Sequence, residues 1–359
     1  MTRGLSAAGK VFLSGEYAVL WGGTARVACV GPRVGAQVRS RDDRRVDLLL
    51  PSSRFFGDAT VSGVHWSGEV PPECLFAART LDLALRLFGR DGPGLQLALE
   101  GSPTGEGGVK LGLGSSARTA VLASEAARYA LNAKYDALKL ALVAHAVAQG
   151  GRGSGADVAA IFAGGVVRYR RWDAAPLVTA STQPAFRAAL DAAPPVDLWR
   201  LPNCKLPLAW AFSGQSASTP SLIKQIENDL GPSGREAFVG RSDGLGQQLE
   251  SALIHGDFPA ARESIGELGA LLRGLGPLET EPLSRIIGIA ATYGCAAKLS
   301  GAGGGDGCVV VCPDAPTRRS LIEGLQARKF FALPLEVQAG LKGEPQPKPE
   351  LVQWLDAAA

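Results

Sequence analysis

The chain has 359 residues, of which 46% are apolar and 20% charged, with 37 basic against 34 acidic side chains. That apolar content excludes a wholly disordered chain, and at about 100–200 residues per domain the length suggests two domains. A net charge of +3 argues against a dedicated nucleic-acid binder, which concentrates basic residues on one face.

In chain order, Lys10 to Val30 predicts two strands joined by a turn at Gly15, Gly22 and Gly23. Val34 to Val46, polar and arginine-rich, predicts exposed strands. Leu75, Phe76, Leu81, Leu83 and Leu87 keep a helical rhythm, and Leu95–Leu99 alternates like a strand. The glycine-rich stretch 101–114 leads into a helix from about Ser115 to Leu131, with either Ser115 or Ser116 able to cap it. A second helix runs from Asp136 to Gln149 and stops at Gly150-Gly151; a short third begins at Asp157, and Val166–Arg170 is a strand. Pro176, Pro184, Pro194, Pro195 and Pro202 mark a linker between Trp172 and Pro207, which puts the domains at 1–185 and 186–359.

Beyond it come a strand at Leu208–Phe212 and helices near 219–228, 236–255, 259–275 and 281–293. Strands at Ala297–Ser300 and Val309–Cys312 flank a glycine loop, followed by a helix at 315–328 and a strand at 331–337. The Pro/Lys/Glu-rich tail 343–349 is expected to be loose. Strands and helices interleave without a strict βαβ period, so the class is α+β. The six cysteines form no CxxC pair and read as reduced core residues of a cytosolic protein, not as a zinc site. The first residues lack a long apolar run, so no signal peptide is expected, and the apolar run 286–297 falls short of the roughly 20 residues a bilayer needs.

Three glycine-rich segments carry the chemistry. Lys110-Leu-Gly-Leu-Gly-Ser-Ser-Ala117 opens a helix. Glycine lets the backbone approach a ligand, and a helix start offers free N–H groups to an anion. A triphosphate is the obvious guest, with the serine hydroxyls in reach of magnesium, which prefers oxygen ligands. The segment is not a Walker A loop. It also fits Gly112-x-Gly114-x-x-Ala117, a dinucleotide pattern, but lacks the strand that should end directly before it. A plain helix-capping turn is the bland reading. Lys298 to Gly307, with three consecutive glycines between strands, holds more glycine than a hairpin needs. In Ser154-Gly155-Ala156-Asp157 the aspartate opens a helix. As an N-cap it is unremarkable; as a functional group it would sit beside phosphates, handling a proton or completing a metal shell. Lys10 is either a solvent-facing charge or a neutraliser of a transferring phosphoryl group. His145, on an otherwise apolar helix, reads as a core residue, and no role is assigned to His65 or His255.

The segments occur together in a particular order. Ser6-Ala-Ala-Gly-Lys-Val-Phe-Leu-Ser-Gly-Glu-Tyr-Ala-Val-Leu20 resembles the first motif of the GHMP small-molecule kinases, Lys110–Ala117 their phosphate-binding motif, and Lys298–Asp306 their third. Gly15-Glu16-Tyr17, Ala148-Gln149-Gly150 with Gly153-Ser154-Gly155-x-Asp157, and Phe212–Thr219 resemble the branch whose acceptor is 5-phosphomevalonate. Mevalonate kinases usually carry His at the place of Tyr17 and a metal-binding Glu in the helix before the second of these segments. No Glu lies between Lys139 and Gly151. Ala8, Arg118 and Gly307-Cys308 depart from the pattern without removing a needed charge or hydroxyl.

The resemblance implies a ribosomal S5 domain 2-like N-terminal domain and a ferredoxin-like C-terminal one, with the site in the cleft between them. It implies transfer of the ATP γ-phosphoryl group to 5-phosphomevalonate. Gly112, Leu113, Gly114, Ser115, Ser116 and Ala117 would bind the ATP phosphates, with Ser116 on Mg2+. Lys10, Lys110 and Asp157 would be catalytic, and Lys10, Ser154, Ser216, Ser218, Thr219, Ser300, Gly301 and Gly303 would meet the substrate. The expected partners are ATP and the phosphorylated acceptor, without nucleic acid or membrane, for a cytoplasmic monomer or homodimer. The rival readings are a kinase acting on a hydroxyl, as mevalonate kinases do, a silent metabolite sensor, and a nicotinamide enzyme. Intact Lys10, Ser116 and Asp157 weigh against the sensor.

Overall fold

The computed structural model describes residues 2–88, 93–104, 108, 110–180, 182–215 and 220–358. Two long antiparallel strands, β1 (Thr2–Ser14) and β2 (Thr24–Ser40), are joined through a 3₁₀ turn at Ala18–Trp21. A meander follows, β3 (Arg45–Leu50), β4 (Ser53–Thr60) and β5 (Gly63–Trp66), then α1 (Leu75–Phe88) and β6 (Leu95–Leu99), which lies parallel to β3. Next come α2 (Ser115–Ala130), α3 (Ala137–Ala148), α4 (Ala156–Ala163) and β7 (Val166–Arg170). After them stand α5 (Ala175–Val178), α6 (Gln183–Ala192) and β8 (Leu198–Arg200). The second half holds β9 (Leu208–Phe212), α7 (Pro220–His255), α8 (Phe258–Arg273), α9 (Glu281–Thr292), β10 (Ala296–Ser300), β11 (Gly307–Val311), α10 (Ala315–Gln326) and β12 (Phe331–Leu335). The chain closes with β13 (Lys342–Glu344) and α11 (Pro349–Ala357).

The first sheet runs β13-β1-β2-β6-β3-β4-β5, with β7 on β2 and β8 on β7. One strand can serve both β6 and β7 because β2 is bent. Gly9 faces Val30 and Ala7 faces Val34, so Gly31, Pro32 and Arg33 bulge opposite Ala8. Thr24–Ala28 then pairs with β7 and Ala36–Ser40 with β6. Helices α1, α2 and α4 pack on this sheet through Leu81, Val121 and Ile161, among others, and α3 packs on those helices through Leu140.

The second sheet is antiparallel in the order β10-β11-β9-β12. Counting β9, β10, β11 and β12 as strands one to four, and reading from β12, the order is 4-1-3-2, with helices after the first and third strands. This is the β-α-β-β-α-β arrangement of a ferredoxin-like unit. Both of its faces are buried: Val309 and Val311 meet Val11, Leu13 and Val30 of the first sheet, whereas Cys308 and Val310 meet Ile286 and Leu321 on the helical side. A strand covered on both faces needs no alternation, which is why Cys308-Val-Val-Val-Cys312 is apolar throughout.

Three stretches differ from expectation. Val34 to Val38 is buried rather than exposed, because β1 and β6 flank it in the middle of the sheet. The proline-rich segment after Trp172 is no bare linker but forms α5, α6 and β8. The tail is not loose either: β13 pairs with β1, placing Glu344 opposite Gly4, and α11 buries Leu351 and Leu355 against Leu49 and Ala98. The chain after Leu335 therefore returns to the first sheet, whereas a division at 185/186 assigns it to the second unit.

Candidate active site

The phosphate-loop candidate is seated on β1 by its backbone. The Lys10 N–H donates to Leu113 O at 3.0 Å, and a methyl group on Gly9 would lie 2.6 Å from that same oxygen. Neither serine caps α2. The cap is Gly114, in the left-handed region at φ 79°, and it makes no side-chain hydrogen bond. The first intrahelical donor is the Arg118 N–H, to Gly114 O at 3.1 Å. The N–H groups of Ser115, Ser116 and Ala117 are thus left to an outside acceptor, and the helix dipole favours an anion there. The Lys10 ammonium reaches this spot, donating to Gly112 O at 3.4 Å, with its alkyl stem packed beside Gly114.

The second glycine loop brings a different set of groups to the same place. Asp136 caps α3 through its side chain, and the helix ends where Gly150 and Gly151 both turn left-handed. α4 is capped by Gly155, so Asp157 is free of capping and presents its carboxylate, 20% exposed, to the cleft. One carboxylate oxygen accepts from the Val158 N–H at 2.9 Å. The other lies 3.8 Å from His145 Nε2, which in turn is 3.2 Å from Ser116 Oγ. His145 is buried, and burial is the main cause lowering its pKa; Lys10 lowers it further and Asp157 opposes. The ring is accordingly held neutral. Sequence reasoning missed this contact, since a lone histidine on an apolar helix carries no signal of what faces it across 29 residues.

The third glycine loop closes the cleft from the second sheet. Gly112 has no room for a side chain because Asp306 lies against it, 2.8 Å from where a methyl group would sit. Tyr17, a non-glycine residue at φ 61°, is held in that costly conformation while its hydroxyl donates to Ala302 O at 2.5 Å. Burial, followed by the neighbouring Glu16 charge, raises the Tyr17 pKa, so the hydroxyl keeps its proton. Glu16 itself accepts from Lys298 in an ion pair almost wholly removed from solvent. Neither partner was singled out for this role from the sequence.

These elements enclose a cleft of about 530 Å³. It brings together Lys10, Lys110, Gly112, Gly114, Ser115, Ser116, Ser154, Asp157 and Gly301 of the expected set, and adds Tyr17, Gln149, Arg152 and Asp306. Four expected residues are not among those lining it. The side chains of Leu113 and Ala117 are buried in the fold, while the Ala117 N–H stays part of the open start of α2. Ser300 spends its hydroxyl oxygen on the Phe12 N–H at 2.8 Å, and Gly303 packs against Leu278. Ser216, Ser218 and Thr219 lie outside the described residues.

Residues 76–165 match the pattern of the GHMP kinases N terminal domain, and residues 249–330 that of GHMP kinases C terminal. Over 370 aligned positions the chain is 30% identical to a phosphomevalonate kinase from Streptomyces sp. (strain CL190), covering 94% of this chain and 97% of that one. This chain is a GHMP kinase. Other relatives of the same GHMP kinase include a mevalonate kinase from Thermococcus gammatolerans, 24% identical over 88% of this chain and 90% of that one. Its fold is shared with Streptococcus pneumoniae phosphomevalonate kinase, solved with phosphomevalonate and AMPPNP, at a TM-score of 0.78 and 23% identity over 93% of this chain and 99% of the other. The N-terminal match covers α1 to α4 and hence both glycine loops that converge on His145. Lys10 and Tyr17 of the GHMP kinase fall outside both matched spans, so their place in the site rests on the geometry above.

Proposed function

We propose that this GHMP kinase transfers the γ-phosphoryl group of ATP to the phosphate of (R)-5-phosphomevalonate, giving (R)-5-diphosphomevalonate and ADP on the mevalonate route to isoprenoids. The observation that carries the reading is the end-to-end likeness to the Streptomyces phosphomevalonate kinase at 30% identity. Phosphoryl transfer asks for positioning and charge neutralisation more than for covalent chemistry, and the cleft offers both. The start of α2, with Gly112, Gly114 and Ser115, takes the triphosphate. Lys10 and Lys110 stabilise charge on the group in flight, and Arg152 and Ser154 line the acceptor side.

Magnesium fits this donor set. Among the described residues no three His, Cys, Asp or Glu side chains cluster as a closed metal cage. Mg2+ suits such an open site, since it takes one or two protein oxygens, substrate phosphates and water. Ser116 Oγ and the Asp157 carboxylate would be the protein oxygens. When bound, the ion neutralises charge on the β- and γ-phosphate oxygens.

Among the described residues no helix is long and apolar enough to cross a membrane. The six free cysteines suit the reducing cytoplasm.

The test is ADP release from purified protein with ATP and Mg2+, comparing mevalonate with 5-phosphomevalonate. Release only with the phosphorylated acceptor is expected. Release with mevalonate alone would overturn the acceptor and keep the kinase.

Asp157 supplies a second test. A phosphomonoester has its second pKa near 6, so the acceptor oxygen is already mostly deprotonated at pH 7 and needs no base. Asp157→Asn, whose amide oxygen can still meet the ion, should therefore cost only about tenfold in kcat, well short of the roughly 10²–10⁴ that loss of a true general base brings. Its rate should fall below about pH 6, as in the wild type, because that limb belongs to the substrate. A collapse of turnover that is partly restored by raising the pH would point to a hydroxyl acceptor instead.

A further inference from the structure

His145 stands where the two glycine loops converge. It is 2% exposed, and its ring lies against Phe76 with centroids 5.1 Å apart, so the imidazole has little room to turn. Its Nε2 meets Ser116 Oγ at 3.2 Å and the nearer Asp157 oxygen at 3.8 Å. Two oxygens face one ring nitrogen. With its hydrogen on Nε2, the tautomer that the neighbouring carboxylate favours, the ring donates to Ser116 Oγ. A serine hydroxyl at a helix start otherwise has three rotamers and can turn to its own backbone. The ring nitrogen selects one and leaves Oγ a lone pair.

We propose that His145 is a positioning residue for phosphoryl transfer: it holds the Ser116 hydroxyl toward the nucleotide phosphates and sets its spacing from Asp157. As an imidazole rather than a carboxylate, it also suits the site to an acceptor that already carries a phosphate. The second half of this rests on the phosphate acceptor assigned above. The cleft already holds the Asp157 and Asp306 carboxylates, and the acceptor brings about −1.5 to −2 charges of its own beside the triphosphate. A further carboxylate at 145, close to Asp157, would add repulsion against that second phosphate.

The test compares wild type with His145→Leu, His145→Gln and His145→Glu. It reads thermal unfolding, kcat and KM for ATP and 5-phosphomevalonate, and AMPPNP affinity by calorimetry with and without Mg2+. His145→Leu is expected to lower kcat about 10–100-fold, the usual cost of losing a partner that orients a metal ligand, and to shrink the gain in AMPPNP affinity that Mg2+ brings. His145→Gln, whose amide N–H can reach Ser116, should recover most of both. His145→Glu should hold AMPPNP with Mg2+ at least as well as His145→Gln yet fall about tenfold below it in kcat/KM for 5-phosphomevalonate.

Equal losses in His145→Leu and His145→Gln would show that the ring only fills space and would overturn the positioning role, as would a His145→Leu enzyme with wild-type kcat and Mg2+ response. If His145→Leu does not fold, the Gln variant against wild type decides: a loss of the Mg2+ response in it overturns the role, and its retention supports it. Equal kcat/KM in His145→Glu and His145→Gln would overturn the acceptor-charge half. A wild type inactive on 5-phosphomevalonate would remove the acceptor assignment itself, while the AMPPNP titrations would still decide the positioning role.

Discussion

Replacing Lys10 with methionine should leave a folded protein that has lost about 10²–10³ in kcat, the range seen when one preorganised donor to developing charge is removed. The folded state should tolerate the change because its backbone role survives. The Lys10 N–H still donates to Leu113 O, and a methionine still packs along Gly114 as the lysine stem does. What disappears is the ammonium, which lies 3.4 Å from Gly112 O at the mouth of the open helix start and 5.6 Å from the Phe12 ring centroid. That charge matters most as the γ-phosphoryl group parts from its leaving oxygen. The loss should therefore fall on kcat, with KM for ATP changed only a few-fold. Lys10→Arg should recover little, since a planar fork cannot occupy the position of a compact ammonium packed beside Gly114. Steady-state kinetics with a thermal melt on the same samples decide the matter. A Lys10→Met enzyme within tenfold of wild-type kcat would remove Lys10 from the transition state.

Much of this site could be read from the sequence, because glycine loops announce themselves locally. Gly112, Gly114 and Gly155 are left-handed turns that only glycine adopts cheaply, and each lies within a few residues of the hydroxyl or carboxylate it presents. The ferredoxin-like half was legible for a related reason: its strands are short apolar runs between well-punctuated helices. What escaped depends on contacts between distant parts of the chain. His145 and Ser116 share no pattern that links them, and nothing about Ser300 says that the Phe12 N–H will occupy its hydroxyl. The serine caps expected for α2 failed because Gly114 takes the cap position, which leaves both serines inside the first turn facing the cleft. The tail departs from the loose segment expected of it because Pro and Lys mark such segments only on average. Here Lys348 pairs with Glu100 at 2.6 Å and the following helix is amphipathic.

The largest effect on stability should come from the pair that local reasoning could not foresee. Lys298, on β10, is fully buried, and its ammonium serves Glu16 and Leu299 O, the latter at 2.9 Å. Glu16 lies in the turn after β1, beside Tyr17, whose hydroxyl is bound to Ala302 in the third glycine loop. The ion pair and the tyrosine thus tie the first motif to the second sheet at the floor of the cleft. A buried pair of this kind contributes little net stability over an apolar pair, because desolvating two charges offsets most of their attraction. Breaking it from one side is different, since the remaining charge stays buried without a partner. Lys298→Met should cost about 3–5 kcal/mol, a large part of the roughly 5–15 kcal/mol that holds a domain folded. Glu16→Gln should cost less, because the amide can still accept from Lys298. Joining Lys298→Met with Glu16→Leu should restore much of the loss, giving a coupling of opposite sign to the single effects. Urea unfolding of wild type, Lys298→Met, Glu16→Leu and the double variant measures this coupling directly, with Glu16→Gln run beside them. If Lys298→Met alone lay within about 1 kcal/mol of wild type, the pair would be solvated in solution and could not be the tie between the two sheets.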